Sequence, residues 1–389
     1  MEYYVIESKM KFDKLNILHY FIFITAFSSF LLAFIFSLIF KKLEIHTILY
    51  GHNLSGNLLV IYNEMFDSGK KVYYLTINPR TYLNLKRKNI EVLFALYPKH
   101  MVKVFNAKNI VASHDLFFHK LIKRYFDIKT YNAGHAMVNK VPINLIRNYK
   151  NFKNYDEIWL FSNFEKSNWE SEIKYKFNNL VVTGYPRVDN LKNLYNNKEL
   201  IKSKNNIKTG VILFAPTHNL TTQNPKQDIF SYENINFLSF LDKLLIGSNY
   251  SLIIKPHYKS KVTKESLDFI KKSDNLFLNN NFKFNDDNEL LAISDILMTD
   301  WSTVFIDYMV LEKPIIFLNS NTIFNETEGD IFYKKELRRM FDYKTLTEFF
   351  HNINERDMLI NYVPSDLKNL IYQGVNHNSI KLILKKLSN

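Results

Sequence analysis

The stretch "ISDILMTDWSTVFIDYMVLEKPIIFLN" (residues 293–319) holds two short apolar runs, "DILMT" and "KPIIFLN", on either side of a longer apolar-periodic segment, "STVFIDYMVLE". A buried strand, a crossover helix and a second buried strand read in this way, and such units build a parallel sheet. At the handover from strand to helix stand Asp300, Ser302 and Thr303. Backbone N–H groups at a helix start are unpaired and the helix dipole favours negative charge there, so this spot suits a phosphate. The same position suits a simple N-cap serine, and the stretch alone leaves both readings open.

The strand-helix alternation extends over most of the chain. "EIHTILYG" (44–51), "KVYYLTIN" (71–78), "IEVLFAL" (90–96), "NIVASH" (109–114), "IKTYNAG" (128–134), "EIWLFS" (157–162) and "LVVTGYP" (180–186) read as a first set of strands. After a polar stretch without apolar period, "NNKELIKSKNNIK" (196–208), comes a second set: "GVILFAPTH" (210–218), "YSLIIKPHY" (250–258), "NLFLNN" (275–280), "DILMTD" (295–300) and "KPIIFLN" (313–319). The expected fold class is α/β, with two doubly wound, Rossmann-like domains, 43–200 and 201–389, facing a cleft lined by the carboxyl ends of their strands. No G-x-G-x-x-G or Walker loop occurs among the nine glycines, which argues against an ordinary dinucleotide or NTPase site.

Residues 1–42 are of another kind. "ILHYFIFITAFSSFLLAFIFSLIF" (17–40) is uncharged and long enough to cross a hydrocarbon core. A membrane-associated segment is expected, with a buried core helix as the alternative. Lysines flank both ends (Lys9, Lys11 and Lys14 before, Lys41 and Lys42 after), so the charge bias gives no orientation.

Composition narrows the chemistry. With 389 residues, 47% hydrophobic and 15% aromatic, the chain can bury large cores, and without a cysteine it has neither disulfides nor thiolate metal sites. The 51 Lys+Arg against 38 Asp+Glu, net +13, implies a polyanionic partner or an anionic membrane surface. The basic residues are spread along the chain rather than gathered in a stripe, which argues against nucleic acid. Several strand ends stop at polar groups: Lys255 and His257 in "IIKPH", Thr217 and His218 in "LFAPTH", Arg187 in "TGYPR", His135 in "TYNAGH". One such histidine is ordinarily structural. Together with the cations they describe a site for phosphate-ester chemistry.

"GYPRVDNL", "ILFAPTH", "LIIKPHY" and "SDILMTDWSTVFIDYMVLEKPIIF", in this order, resemble the CDP-glycerol glycerophosphotransferases that build teichoic acids and related capsule polymers. "NAGHAMVNK" resembles the family's His-Gly-Thr-Pro-Leu-Lys-Lys segment, with His135 and Lys140 on matching positions, and "NLSGNLLVIYNEM" its Ser-x-Asn-Pro loop, with Ser55 and Asn57 matching. Ala136, Met137 and Val138 depart from Gly-Thr-Pro, and Tyr258 replaces a proline. The resemblance implies a GT-B architecture, transfer of glycerol phosphate from CDP-glycerol or a related CDP-polyol without metal or other cofactor, a lipid-linked or polymer acceptor, and residence at the cytoplasmic membrane face. It also implies catalytic roles for His135 and His257. In the mechanism expected from these matches, His135 is general base. Lys255, Ser302, Thr303, Arg187 and Thr217 bind the donor, with Asp300 structural or on the nucleoside, and Ser55, Asn57 and Lys140 bind acceptor or phosphate. The alternative is a GT-B glycosyltransferase that uses a nucleotide sugar, akin to bacterial sialyltransferases.

Overall fold

The computed structural model describes residues 17–40, 42, 44–114, 116, 118–134, 152–173, 177–216, 230–256, 262–300, 302–318, 340–355 and 359–388. The chain forms two compact units, one from Glu7–Asp189 with Gln373–Asn389 and the other containing Asn190–Tyr372.

The first unit is built on a seven-stranded parallel sheet of order β3-β2-β1-β4-β5-β6-β7. Its strands are β1 (Glu44–Tyr50), β2 (Val72–Thr76), β3 (Val92–Phe94), β4 (Ala107–Ala112), β5 (Lys129–Asn132), β6 (Glu157–Leu160) and β7 (Leu180–Val182). Successive side chains of a strand point to opposite faces. Accordingly Ile48, Ile110 and Leu160 join a core with Val104, Phe105 and Trp169, while their neighbours Leu49, Val111 and Trp159 join another with Leu58, Ile61 and Tyr62. The helix Ser379–Ser388 completes that second core with Ile383 and Leu387. Its first residue is held by Asp189, which accepts from the Ser379 amide at 2.8 Å and its hydroxyl at 2.5 Å, and Lys386 pairs with Glu157 at 2.8 Å.

The second unit has a six-stranded parallel sheet of order β10-β9-β8-β11-β12-β13, from β8 (Gly210–Phe214), β9 (Tyr250–Ile254), β10 (Leu276–Leu278), β11 (Ile296–Thr299), β12 (Ile315–Leu318) and β13 (Met340–Phe341). Its inner strands are buried on both faces, which is why they read as unbroken apolar runs. The polar stretch 196–208 is largely helical, Pro186–Asn196 being succeeded by Lys198–Lys204 with Ile201 buried. Helix formation there draws on one anchoring apolar residue rather than on an apolar period.

The N-terminal apolar run is a helix, Ile17–Ile39, the one helix among the described residues long and apolar enough to cross a membrane. It is neither buried all round nor free. A seam of Ile22, Ala26, Ser29, Ala33 and Ser37 is buried, and Phe30 and Phe34 set their rings 5.2 and 5.7 Å from Phe105 of the helix Pro98–Phe105. The opposite face leaves Phe21, Ile24, Leu31, Leu32, Ile35 and Ile39 exposed.

Candidate active site

In the first unit, residues far apart in sequence meet beyond the carboxyl ends of the strands. The helix Asn57–Asp67 opens after Gly56, whose positive φ of 55° turns the chain inward and suits glycine. The turn delivers Asn57 into the interior, 2% exposed. There its Nδ2 donates to the Ala133 carbonyl at 2.8 Å, and its Oδ1 accepts from the Arg187 backbone N–H at 3.3 Å. Thus Asn57 joins the end of β5 and the start of the helix Pro186–Asn196 to the loop after β1, while Ser55 stays exposed in that loop.

Arg187 is almost wholly buried and its guanidinium lies 4.5 Å from the centre of the Tyr185 ring. Tyr185 donates its hydroxyl to Glu165 at 3.2 Å, and the fully buried Glu165 also accepts from the Phe161 N–H at 2.7 Å. Gly134, with φ of 64° and its N–H on Asn132 Oδ1 at 2.9 Å, passes so near that a Cβ would stand 2.8 Å from the Tyr185 oxygen. A cation, a buried carboxylate and a tight glycine turn therefore underlie the position that precedes His135. His135 and Lys140 themselves lie outside the described residues.

In the second unit, β9 and β11 both pair with β8, so the residues leaving their carboxyl ends flank the end of β8. The Ala215 N–H donates to Met298 at 3.0 Å, Thr299 Oγ1 donates to the Ala215 carbonyl at 2.7 Å, and the Lys255 N–H donates to Phe214 at 2.8 Å. Strand order reverses between β8 and β11, and open α/β sheets bind ligands at such switch points. Asp300 is buried and accepts from the Ser302 amide at 3.2 Å. The next helix is short, Val304–Tyr308, continued by a 3-10 turn Met309–Leu311. Its N-cap is Thr303, in helical conformation and without a side-chain cap hydrogen bond, and Ser302 Oγ lies 3.5 Å from the Val304 amide, the outer limit of a bond. The N-cap position thus falls to Thr303, and Ser302 makes one long contact to the Val304 amide. Thr217 and His257, the remaining expected members, lie outside the described residues.

Two features escaped the sequence reading. Lys255 Nζ lies 3.1 Å from Asp287, and beside it Asp286 caps the helix Asp287–Ile293 by accepting from the Asn288 and Glu289 amides. Burial pushes the Asp286 carboxyl up to about 6, with Asp287 and Glu289 adding to the shift and the amide bonds opposing it. The "DDNE" run at 286–289 carries a capping signature, but only the fold sets it beside Lys255. Among the described residues no group of three or more His, Asp or Glu is placed to hold a metal ion.

Comparison with known proteins supplies the context. Residues 30–357 match the family model described as CDP-glycerol:poly(glycerophosphate) glycerophosphotransferase. A teichoic acid poly(glycerol phosphate) polymerase of Bacillus spizizenii is 31% identical over 145 residues, which are 35% of this chain and 34% of that protein. A teichoic acid glycerol-phosphate transferase of Staphylococcus aureus is 29% identical over 49% of this chain and 50% of its own length. The chain thus spans about a third of the first of these relatives and half of the second. Among solved structures, the wall teichoic acid polymerase TagF aligns with TM-score 0.66 over 94% of this chain and 97% of that one at 18% identity. At that identity the likeness shows the fold, a GT-B-like α/β architecture.

Proposed function

Because this chain belongs to the CDP-glycerol:poly(glycerophosphate) glycerophosphotransferase family, we propose that it transfers glycerol phosphate from CDP-glycerol to a hydroxyl of a polymer or lipid-linked acceptor. The acceptor oxygen attacks the glycerol-bearing phosphorus, the bond from that phosphorus to CMP breaks, and a phosphodiester forms. Such a transition state asks for positioning and cationic or N–H donors rather than covalent catalysis. His135 takes the acceptor proton; Lys255 and His257 stabilise the departing CMP; Ser302 and Thr303 bind the diphosphate, with Thr217, Arg187 and Lys140 in support. The observation that carries the reading is the gathering of Lys255, Asp300, Ser302 and Thr303 around the end of β8.

The deciding experiment is chromatography of products after incubating the protein with CDP-glycerol, CDP-ribitol and nucleotide sugars. CMP from CDP-glycerol, unaffected by EDTA, is the expected result; release from a nucleotide sugar alone would replace this reading with a glycosyltransferase. Ser302→Ala is expected to weaken CDP-glycerol binding by about 1–2 kcal/mol, the scale of a hydrogen bond to a charged group. Unchanged affinity in calorimetry together with a lower Tm would return Ser302 to a structural role.

The finer reading of location is that the chain sits on the cytoplasmic membrane face, where CDP-activated donors are made, with the helix Ile17–Ile39 lying in one leaflet. The support is its buried seam, from Ile22 to Ser37, which at about 1.5 Å per residue runs along some 22 Å of helix. Phe34 also meets Tyr125 at 5.5 Å, on a helix (His119–Tyr125) whose exposed face adds Leu121, Lys120 and Arg124. Each cation at an anionic surface contributes about 1 kcal/mol. Since the chain has no cysteine, single cysteines are clean probes. Protein bound to sealed vesicles from outside should be labelled by an impermeant maleimide at both Ser8→Cys and Lys42→Cys. Protection of the Ser8→Cys site alone would mean that the helix spans.

A further inference from the structure

The first unit has a switch point of its own. The chain proceeds from β1 through β2 to β3 in one direction and from β4 through β7 in the other, so the sheet order reverses between β1 and β4. Open α/β sheets bind ligands at such switch points. His52 stands two residues past the end of β1 and His114 two past the end of β4. Their rings meet there, centroids 3.8 Å apart at 55°. Neither histidine has a part in the proposed transfer.

The surroundings hold this pair in place. The Ser113 N–H extends the ladder to Tyr50 at 2.9 Å, and its hydroxyl bonds to His114 Nδ1 at 2.8 Å. From β2, Tyr74 donates its hydroxyl to the Gly51 carbonyl at 2.8 Å, anchoring the other loop. The two loops come so close that a Cβ on Gly51 would lie 2.4 Å from Ser113 Oγ and 2.9 Å from a methyl of Leu58. Glycine at 51 is what lets the histidines approach. The loop that carries His52, "GHNLSG" (51–56), has no acidic residue and also carries Ser55.

Imidazoles change charge near neutral pH, and two of them at this separation repel when both are protonated. An anion that accepts from both relieves the repulsion and binds with two charge-assisted hydrogen bonds. The geometry points to His52 and His114 as a phosphate-binding subsite, which grips a phosphate of the polyol-phosphate acceptor and so positions the hydroxyl that attacks the donor phosphorus. This inference rests on the proposed transfer for the identity of the ligand, whereas phosphate binding by the pair can be read without it.

Two measurements test it. Histidine side-chain resonances of the full chain are followed while sn-glycerol 3-phosphate is added, and acceptor and donor KM values are taken for His52→Ala, His114→Ala, His52→Phe and His52→Lys. The expected result is that two histidine signals, lost in the two alanine variants, shift on titration. The alanine and phenylalanine variants should raise acceptor KM roughly tenfold or more, the scale of charged hydrogen bonds, while His52→Lys restores most of it and CDP-glycerol KM moves less than about twofold. Shifts in a protein that releases no CMP would keep the phosphate subsite and refute the transfer. Normal transfer with unshifted resonances and unchanged acceptor KM would overturn the subsite, and so would recovery by His52→Phe but not by His52→Lys, the mark of a packing pair.

Discussion

Replacing His135 by alanine is expected to slow transfer by about 10²–10⁴-fold, the usual contribution of a positioned general base, while CDP-glycerol binds within a few-fold of the unmodified protein. The expectation combines the "NAGH" match with the bracing of the two residues that precede His135 in the sequence. Gly134 is held at positive φ against Tyr185, Tyr185 is held by Glu165, and Asn57 ties the Ala133 carbonyl to Arg187. A base works only when its position is fixed within hydrogen-bond reach of the hydroxyl. Since the base acts on the acceptor, the loss should fall on kcat and spare donor affinity. Unimpaired turnover in His135→Ala would remove this residue from the mechanism.

The second large effect is on stability, and it separates the two aspartates that flank β11. Asp300, past the carboxyl end of β11, belongs to the candidate site, whereas Asp295 precedes its first residue and is a structural clamp. It accepts from the Val211 amide at 3.0 Å and pairs with Lys313 at 3.0 Å and Lys198 at 3.5 Å. Burial by itself would raise its pKa, but Lys313, the Val211 N–H and Lys198 together hold the carboxyl below its ordinary range. The stability it contributes is therefore fully present above the unfolded carboxylate value of about 3.9 and is lost as pH falls through the lower folded value. Asp295→Asn should cost about 2–3 kcal/mol at pH 7, since it leaves two lysines facing a neutral group. A drop in Tm of roughly 5 °C or more should accompany it. The gap from the unmodified protein should narrow below about pH 4 as Asp295 is protonated. An equal gap at pH 7 and pH 3 would mean that packing, not charge, holds the site.

The strands were legible because a parallel sheet covered on both faces demands apolar runs, and "GVILF", "SLII", "DILMT" and "PIIFL" are such runs, with Gly210, Pro216, Pro256, Asp295, Asp300 and Pro314 at or near their limits. The two residues of β13, Met340–Phe341, escaped because so short a strand has no period to read. Ser302 and Lys255 could be placed at strand ends by spacing alone, since a strand's length limits where its successor loop begins. Which residue takes the N-cap position of the next helix was not legible: it falls to Thr303, while the Ser302 amide turns to Asp300.

What the sequence by itself determined is whatever local periodicity and local chemistry encode. That covers two sets of parallel strands, an apolar helix at 17–40, polar groups at strand ends, and motifs similar to a polyol-phosphate transferase family. Tertiary structure alone decided which distant segments share a face. It returned the helix Ser379–Ser388 to the first sheet, where Ile383 and Leu387 find Tyr62 and Met65, and gave the apolar helix one packed face against Phe105 and one exposed face. It also set His52 against His114 across 61 intervening positions. The physical reason is common to all three. An apolar or polar side chain declares locally that it needs a partner, but the partner is chosen by sheet order and chain reversal, which no window of neighbouring residues contains.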